Sequence, residues 1–171
     1  YLLLEAKPQL GGRIEAAHDT HYSAISFDLG PTWIFDHQPK IQQLISLLCL
    51  PVFAQYTQGD VLYQAAQTLK PQQIAGAGEM HLLRLTGGMY SLIKALYEQL
   101  NPASILTEHH VVKLHKQQNT WHITANHNGK VKQFSAKQLI AALPPRMITQ
   151  HLTPDLWADQ TLINRLTAVP T

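Results

Sequence analysis

Apolar and polar positions alternate along this chain with two distinct periods, and the change of period divides it into elements. Tyr1-Leu2-Leu3-Leu4 is an unbroken apolar run closed by Glu5, which reads as a parallel strand buried on both faces. A turn-rich loop from Lys7 to Arg13 follows, with Pro8 and the pair Gly11-Gly12, and short strand-like pieces lie around Tyr22–Phe27. After Pro39, the residues Ile41, Leu44, Ile45 and Leu48 recur at helical spacing, so a helix begins there and Pro51 ends it. Val52–Tyr56 and Val61–Gln64 read as strands around the Gln58-Gly59-Asp60 turn, Lys70–Glu79 as a loop, and Leu82–Leu85 as a strand running into Thr86-Gly87-Gly88. Met89, Leu92, Ile93, Leu96, Tyr97 and Leu100 make one apolar helical face, stopped by Asn101-Pro102.

Beyond residue 102 the period is two. Ser104–Thr107 and His109–His115 are predicted strands, and Trp121–Asn126 pairs with Lys130–Ser135 across the hairpin signal Asn128-Gly129. Gln138–Leu143 is nearly all apolar and reads as a strand buried on both faces, closed by Pro144-Pro145, and Arg146–Leu166 is helical in pattern. The predicted class is α/β, mixed α and β, with a parallel core and a hairpin excursion.

Composition sharpens this picture. The 171 residues are 45% apolar and only 14% charged, against about 25% charged in an average soluble chain. A disordered or highly charged tail is excluded, and some of the surface is expected to be covered. The net charge of +2 comes from dispersed Lys and Arg, with no basic stripe, so a nucleic-acid partner is not expected. Apolar runs fall far short of the ~20 residues a membrane span requires. One cysteine, Cys49, gives no internal disulfide framework and fits a reducing compartment, hence a cytoplasmic protein. The chain opens inside a strand, without Met or the features of a signal peptide, and stops at Ala168-Val169-Pro170-Thr171 without a cap. It reads as an internal fragment of a longer protein.

Candidate chemistry begins at Glu5, an acid ending a buried strand ahead of a Gly-Gly loop. In a dinucleotide-binding unit, an acid at the end of the second strand accepts hydrogen bonds from ribose hydroxyls. A carboxylate suits this because it offers only acceptors to two neighbouring donors. The Gly-rich phosphate turn of such a unit would lie before residue 1. On this pattern alone, a solvated carboxylate at a strand end is the more ordinary reading.

The run Leu2-Leu3-Leu4-Glu5-Ala6-Lys7-Pro8-Gln9-Leu10-Gly11-Gly12-Arg13 resembles the second segment of the FAD-binding signature of the flavin-containing amine oxidases. That family includes monoamine and polyamine oxidases and their bacterial relatives. Its usual form is a hydrophobic strand, Glu-Ala-Arg, a spacer and Gly-Gly-Arg. Lys7 stands where Arg is common, which keeps the charge but loses the bidentate fork. Asp28-Leu29-Gly30-Pro31-Thr32-Trp33-Ile34, with Pro39 and its helix, resembles the segment that passes the flavin and enters the substrate domain. Arg84-Leu85-Thr86-Gly87-Gly88-Met89 resembles the Gly-Gly turn returning to the FAD domain. His110-Val111-Val112-Lys113-Leu114, the hairpin and Gln138–Pro145 resemble the excursion that follows.

The resemblance implies part of an FAD-binding Rossmann-like domain with part of an inserted substrate domain. Its boundaries are residues 1–35 for FAD binding, 36–84 for substrate, 85–146 for FAD binding and 147–171 for a second substrate segment. Glu5 would hold the adenosine ribose. Lys7 and Arg13 would sit near pyrophosphate and flavin, and Gly11 and Gly12 would let the backbone approach the cofactor. Gly30, Pro31, Thr32 and Trp33 would line the flavin, and Val111 would offer backbone groups to adenine. The implied substrate is a small amine, which would yield hydride to the flavin and leave an imine to hydrolyse, with oxygen as acceptor.

No catalytic residue is assigned. The lysine that many family members place near the flavin would follow residue 171, and Lys94, Lys132 and Lys137 do not match it. FAD belongs to the full-length parent and is not expected to be retained by the fragment, whose strand edges are expected to self-associate. Rival readings are another FAD oxidoreductase, renalase-like, desaturase-like or protoporphyrinogen-oxidase-like, and a non-catalytic binding module.

The ten histidines are the compositional oddity, and below about pH 6 they could lift the charge from +2 toward +12. His109 and His115, read as sharing a strand face, would stand about 20 Å apart, too far for one metal. His18-x-x-His21 lacks a zinc-site context and Cys49 lacks a partner thiol. No metal site is assigned, and the histidines read as scattered surface imidazoles. No Gly-x-Ser-x-Gly elbow supports Ser/His/Asp catalysis. Cys49 reads as buried packing four residues after Ile45, and the Leu92/Leu96/Tyr97 stripe as core.

Overall fold

The computed structural model describes residues 1–18, 26–67, 69–76, 81–151 and 160–169. It is a mixed α/β chain in two compact units, residues 1–10 with 101–171 and residues 11–100. His21, and most of the strand-like stretch assigned to Tyr22–Phe27, lie outside the described residues.

In the first unit, β1 (Leu3–Leu4) pairs in parallel with β9 (Ile105–Leu106). Strands β10 (His110–Gln117), β11 (Thr120–His127) and β12 (Lys130–Ala136) form an antiparallel meander. The second turn of the meander is the Asn128-Gly129 pair, with φ of +49° and +75°, the left-handed pair that a tight hairpin needs. Leu114 and Ile123 are the buried centre of this unit, with Leu4, Val111, Phe134, Leu139 and Ile148 packed around them. Helices α3 (Pro145–His151) and α4 (Gln160–Ala168) follow.

In the second unit, β2 (Ala16–His18) pairs with β3 (Ser26–Asp28), and β4 (Ile34–Phe35) and β5 (Val52–Ala54) flank β8 (Leu82–Leu85). β6 (Val61–Tyr63) pairs with β7 (Gln72–Ile74). Helix α1 (Pro39–Leu47) starts on its proline, and α2 (Tyr90–Glu98) follows the Gly87-Gly88 turn. Ile34, Ile45, Leu85, Met89 and Leu92 are the core. Each such side chain contributes about 1.5–3 kcal/mol on leaving water.

Several expectations are corrected. Gln138–Leu143 is not a strand, and Ile140 is 92% exposed: an apolar run forms a buried strand only where neighbouring strands accept its backbone. The opening strand is parallel, as expected, but Leu2 and Leu3 are exposed because two residues pair with one neighbour. β5 and β6 do not form a hairpin; β5 pairs with β8, and β6 pairs with a strand inside the segment read as loop. The helical stretch 146–166 is represented by two helices, with residues 152–159 outside the described part.

Cys49 is exposed rather than buried, and its backbone is what matters. Leu50 N–H donates to Ile45 O (3.0 Å) and Cys49 N–H to Ser46 O (3.1 Å), the paired bonds that end a helix through a left-handed residue. Cys49 is that residue, at φ +52°, where a side chain is strained and glycine is not. Cys49→Gly is therefore expected to raise stability by about 1 kcal/mol. A urea midpoint equal to or below that of the wild type would contradict this.

Candidate functional site

The residues assigned to cofactor binding fall in both units. In the first, Glu5 follows β1 and is half-buried. Its N–H donates to Leu106 O (2.9 Å) and its carbonyl accepts His109 N–H (2.8 Å), so the backbone is fixed on both sides. Its Oε1 accepts Lys7 N–H (2.8 Å), which turns the chain after the strand and aims the carboxylate. Glu108 N–H closes the loop onto Lys7 O (3.1 Å). The result is an acceptor-only group held at the carboxyl end of a parallel strand, where open α/β sheets place their ligands. Val111 lies on β10 with its side chain in the Leu114/Ile123 cluster, and the strand bulges between Val111 and Lys113.

That bulge corrects the reading of the histidines. One extra residue reverses the alternation of faces, so His109 and His115 do not share a face: His109 is buried at 8% exposure and His115 is exposed. His109 stacks on His127 with ring centroids 4.2 Å apart. His109 Nδ1–H donates to Thr107 O (2.6 Å) and His127 Nδ1–H to Glu108 O (3.2 Å), which brace the turn opposite Glu5. His115 instead faces His122 across the sheet. Among the described residues, no group of three or more His, Cys, Asp or Glu could hold a metal ion.

In the second unit, Gly11, Gly12, Arg13, Gly30, Pro31, Thr32 and Trp33 converge. A Cβ on Gly30 would stand 2.1 Å from Arg13 O, so the two loops touch backbone to backbone. A Cβ on Gly11 would meet Ile14 O at 2.6 Å and the Tyr90 and Ile93 side chains of α2. Gly12, at φ +58°, faces open space, and it leaves its backbone approachable. Thr32 Oγ1–H donates to Gly30 O (3.2 Å), tightening the loop. Trp33 is 50% exposed, so it is not plain core. It shares with Pro31, Ile34, Lys40, Met89 and Leu92 the wall of an open, largely apolar cavity of about 490 Å³. Arg13 and Lys7 are exposed cations.

A family model described as flavin containing amine oxidoreductase matches the chain over residues 1–74 and 49–171. The chain belongs to the flavin-containing amine oxidoreductase family. No curated protein sequence matches it. Among solved structures, it is similar to a putrescine oxidase A394C mutant, at 12% identity and a TM-score of 0.75, over 96% of this chain and 57% of that one. Wild-type putrescine oxidase bound to putrescine aligns with a TM-score of 0.70, over 89% and 54%. A protein from Exiguobacterium sp. 255-15 described as a protoporphyrinogen oxidase aligns at 13% identity and a TM-score of 0.66, over 88% and 55%. These likenesses show the fold, and the chain spans a little over half the length of each structure. The family implies a flavin.

Each unit, taken by itself, presents residues that fit a part of such a group. The cavity beside Trp33 and Pro31 suits a flat aromatic ring, Gly12 leaves room for close approach, and Glu5 presents acceptors to hydroxyl donors. Asp28 was assigned no role in the sequence, yet its carboxylate is 3% exposed and accepts Met89 N–H at 2.7 Å. A single acid at a strand end carries no periodic signal, although the motif that contains it was visible. Among the described residues, no helix is long and apolar enough to cross a membrane.

Proposed function

We propose that this chain is part of an FAD-dependent oxidoreductase that oxidises a small amine by hydride transfer to the flavin, with oxygen as the acceptor. The observation that carries the cofactor reading is Glu5, half-buried and pre-aimed by the Lys7 N–H at the end of a parallel strand. In the proposal Glu5 holds the ribose, Lys7 and Arg13 neutralise phosphate charge, and Gly11 and Gly12 shape the loop. Gly30, Pro31, Thr32 and Trp33 line the ring system, and backbone groups at Val111 meet adenine. Residues 1–35 and 85–146 belong to FAD binding in this reading, and residues 36–84 and 147–171 to substrate binding. The bound flavin supplies the redox chemistry, while the protein supplies placement, electrostatics and exclusion of water. Pro31, Trp33 and Met89 supply apolar lining to the cavity.

A second reading keeps the flavin and changes the substrate, and the likeness to the Exiguobacterium protein favours it. Turnover of amines against porphyrinogens by a flavin-loaded protein containing this chain separates the two.

The purified chain is expected to be colourless and to release no amine-dependent peroxide. Tight FAD binding needs the diphosphate at a helix N-terminus behind a Gly-rich turn. Of the described helices, α2 is the one that follows such a turn, Gly87-Gly88, and its N-terminus already holds the Asp28 carboxylate. A yellow protein with stoichiometric flavin would contradict this. Exposed Leu2, Leu3, Phe53 and Leu62 support self-association through strand edges. Sedimentation of the same preparation over a concentration series should show it, and a monomer throughout would remove it.

A further inference from the structure

Two sequence motifs of the second unit, Asp28–Trp33 and Arg84–Met89, meet through one side chain. Asp28 ends β3, and its carboxylate is 3% exposed. Oδ1 accepts Met89 N–H at 2.7 Å, and Oδ2 faces Arg84 Nη2 at 3.7 Å. Met89 is the residue that caps α2. That helix has no side-chain cap of its own and no acid in its first turn, so the anion its N-terminus favours comes from a distant strand. Room for it is made by Gly88, at φ +82°, where a Cβ would stand 2.9 Å from Asp28 Oδ1. Arg84 reaches onward from its other nitrogen to Gln55 Oε1 (3.4 Å) and lies over the Phe53 ring.

The consequence concerns the cavity. Pro31 and Trp33, three and five residues after Asp28, form one wall, and Met89 and Leu92 form another. The Asp28–Met89 hydrogen bond joins the two walls. We propose that Asp28 is a positioning residue for the flavin ring system: it fastens the Gly30–Trp33 loop to the head of α2 and so sets the width of the cavity. This rests on the flavin reading of that cavity. It also gives the Gly87-Gly88 turn its purpose, which is to receive a carboxylate of the protein.

The test uses the whole chain with flavin mononucleotide as the probe, in wild type, Asp28→Ala and Asp28→Asn. Amide exchange reads the latch directly. Met89 N–H should exchange about 10- to 100-fold faster in Asp28→Ala than in wild type. Asp28→Asn, which retains an acceptor, should recover most of that protection. Ile123 and Ala125, in the other unit, should be unchanged in both variants. Flavin-induced shifts of the Thr32 and Trp33 amides read the positioning. Their apparent dissociation constant should rise about tenfold or more in Asp28→Ala and stay near the wild-type value in Asp28→Asn.

Unchanged Met89 exchange in Asp28→Ala would overturn the latch. Faster exchange with an unaltered dissociation constant would overturn the positioning role. If flavin moves neither amide in wild type, the flavin reading of this cavity fails, and with it the role assigned to Asp28 there, while Met89 exchange still decides the latch. Should Asp28→Ala not fold, Asp28→Ser, too short to reach the Met89 N–H, takes its place with the same expected results.

Discussion

Gly30→Ala is expected to destabilise the second unit by about 3 kcal/mol, the upper range for a forced backbone overlap. The added Cβ would lie 2.1 Å from Arg13 O, and the obstacle is backbone, which no rotamer change can clear. The loops at Arg13 and Gly30 would have to part, and Leu29 N–H would be pulled from Glu15 O (2.9 Å). Gly12→Ala is the control. Gly12 is left-handed at φ +58° but faces open space, so only the conformational cost applies, about 1 kcal/mol. Urea titration followed through the Leu85 and Leu92 amides in the core of this unit measures both. Equal midpoints for Gly30→Ala and wild type would mean that the two loops are not in contact.

The motif that holds Gly30 was legible in the sequence, whereas the reason for the glycine was not. Local chemistry announces itself: Pro39 at a helix start, Asn128-Gly129 at a hairpin, Asn101-Pro102 after α2 were readable because each is decided by neighbours in sequence. Pairing is decided elsewhere. β5 carries the same β-prone pattern whether it meets β6 or β8, and Gln72–Ile74, between a proline and a glycine, has too weak a pattern to be seen as a strand. The bulge at Val112 leaves no mark on the alternation of residue types, yet it moves His109 into the interior and leaves His115 outside. Asp28 and Arg84 are 56 positions apart (84 − 28) in the chain, and only the fold makes them partners. Apolar content was misleading at Gln138–Leu143, because hydrophobicity marks what must be covered but not what covers it.

The Glu5 assignment predicts the largest functional effect. In an FAD-loaded protein containing this chain, Glu5→Ala removes the acceptors offered to the ribose. Two charge-assisted hydrogen bonds at about 1.5–3 kcal/mol each give a loss of about 3–6 kcal/mol in FAD binding, two to four decades in dissociation constant. Part of that loss would come from the loop, since the Lys7 N–H also loses its acceptor. Glu5→Gln separates the two contributions: it retains an oxygen for the Lys7 N–H but gives up the charge and one acceptor, so it should fall between wild type and alanine. Val111→Ala is the contrast. Its side chain packs with Leu114 and Ile123, so truncation should cost about 1 kcal/mol of stability and leave FAD affinity within about threefold, because the backbone groups offered to adenine are retained. Equilibrium dialysis or flavin fluorescence on the four proteins decides it. Wild-type affinity in Glu5→Ala would remove the ribose assignment. A loss in Val111→Ala as large as in Glu5→Ala would mean that the effect travels through packing of the first unit, and the carboxylate at the end of β1 would then be only a solvated strand end.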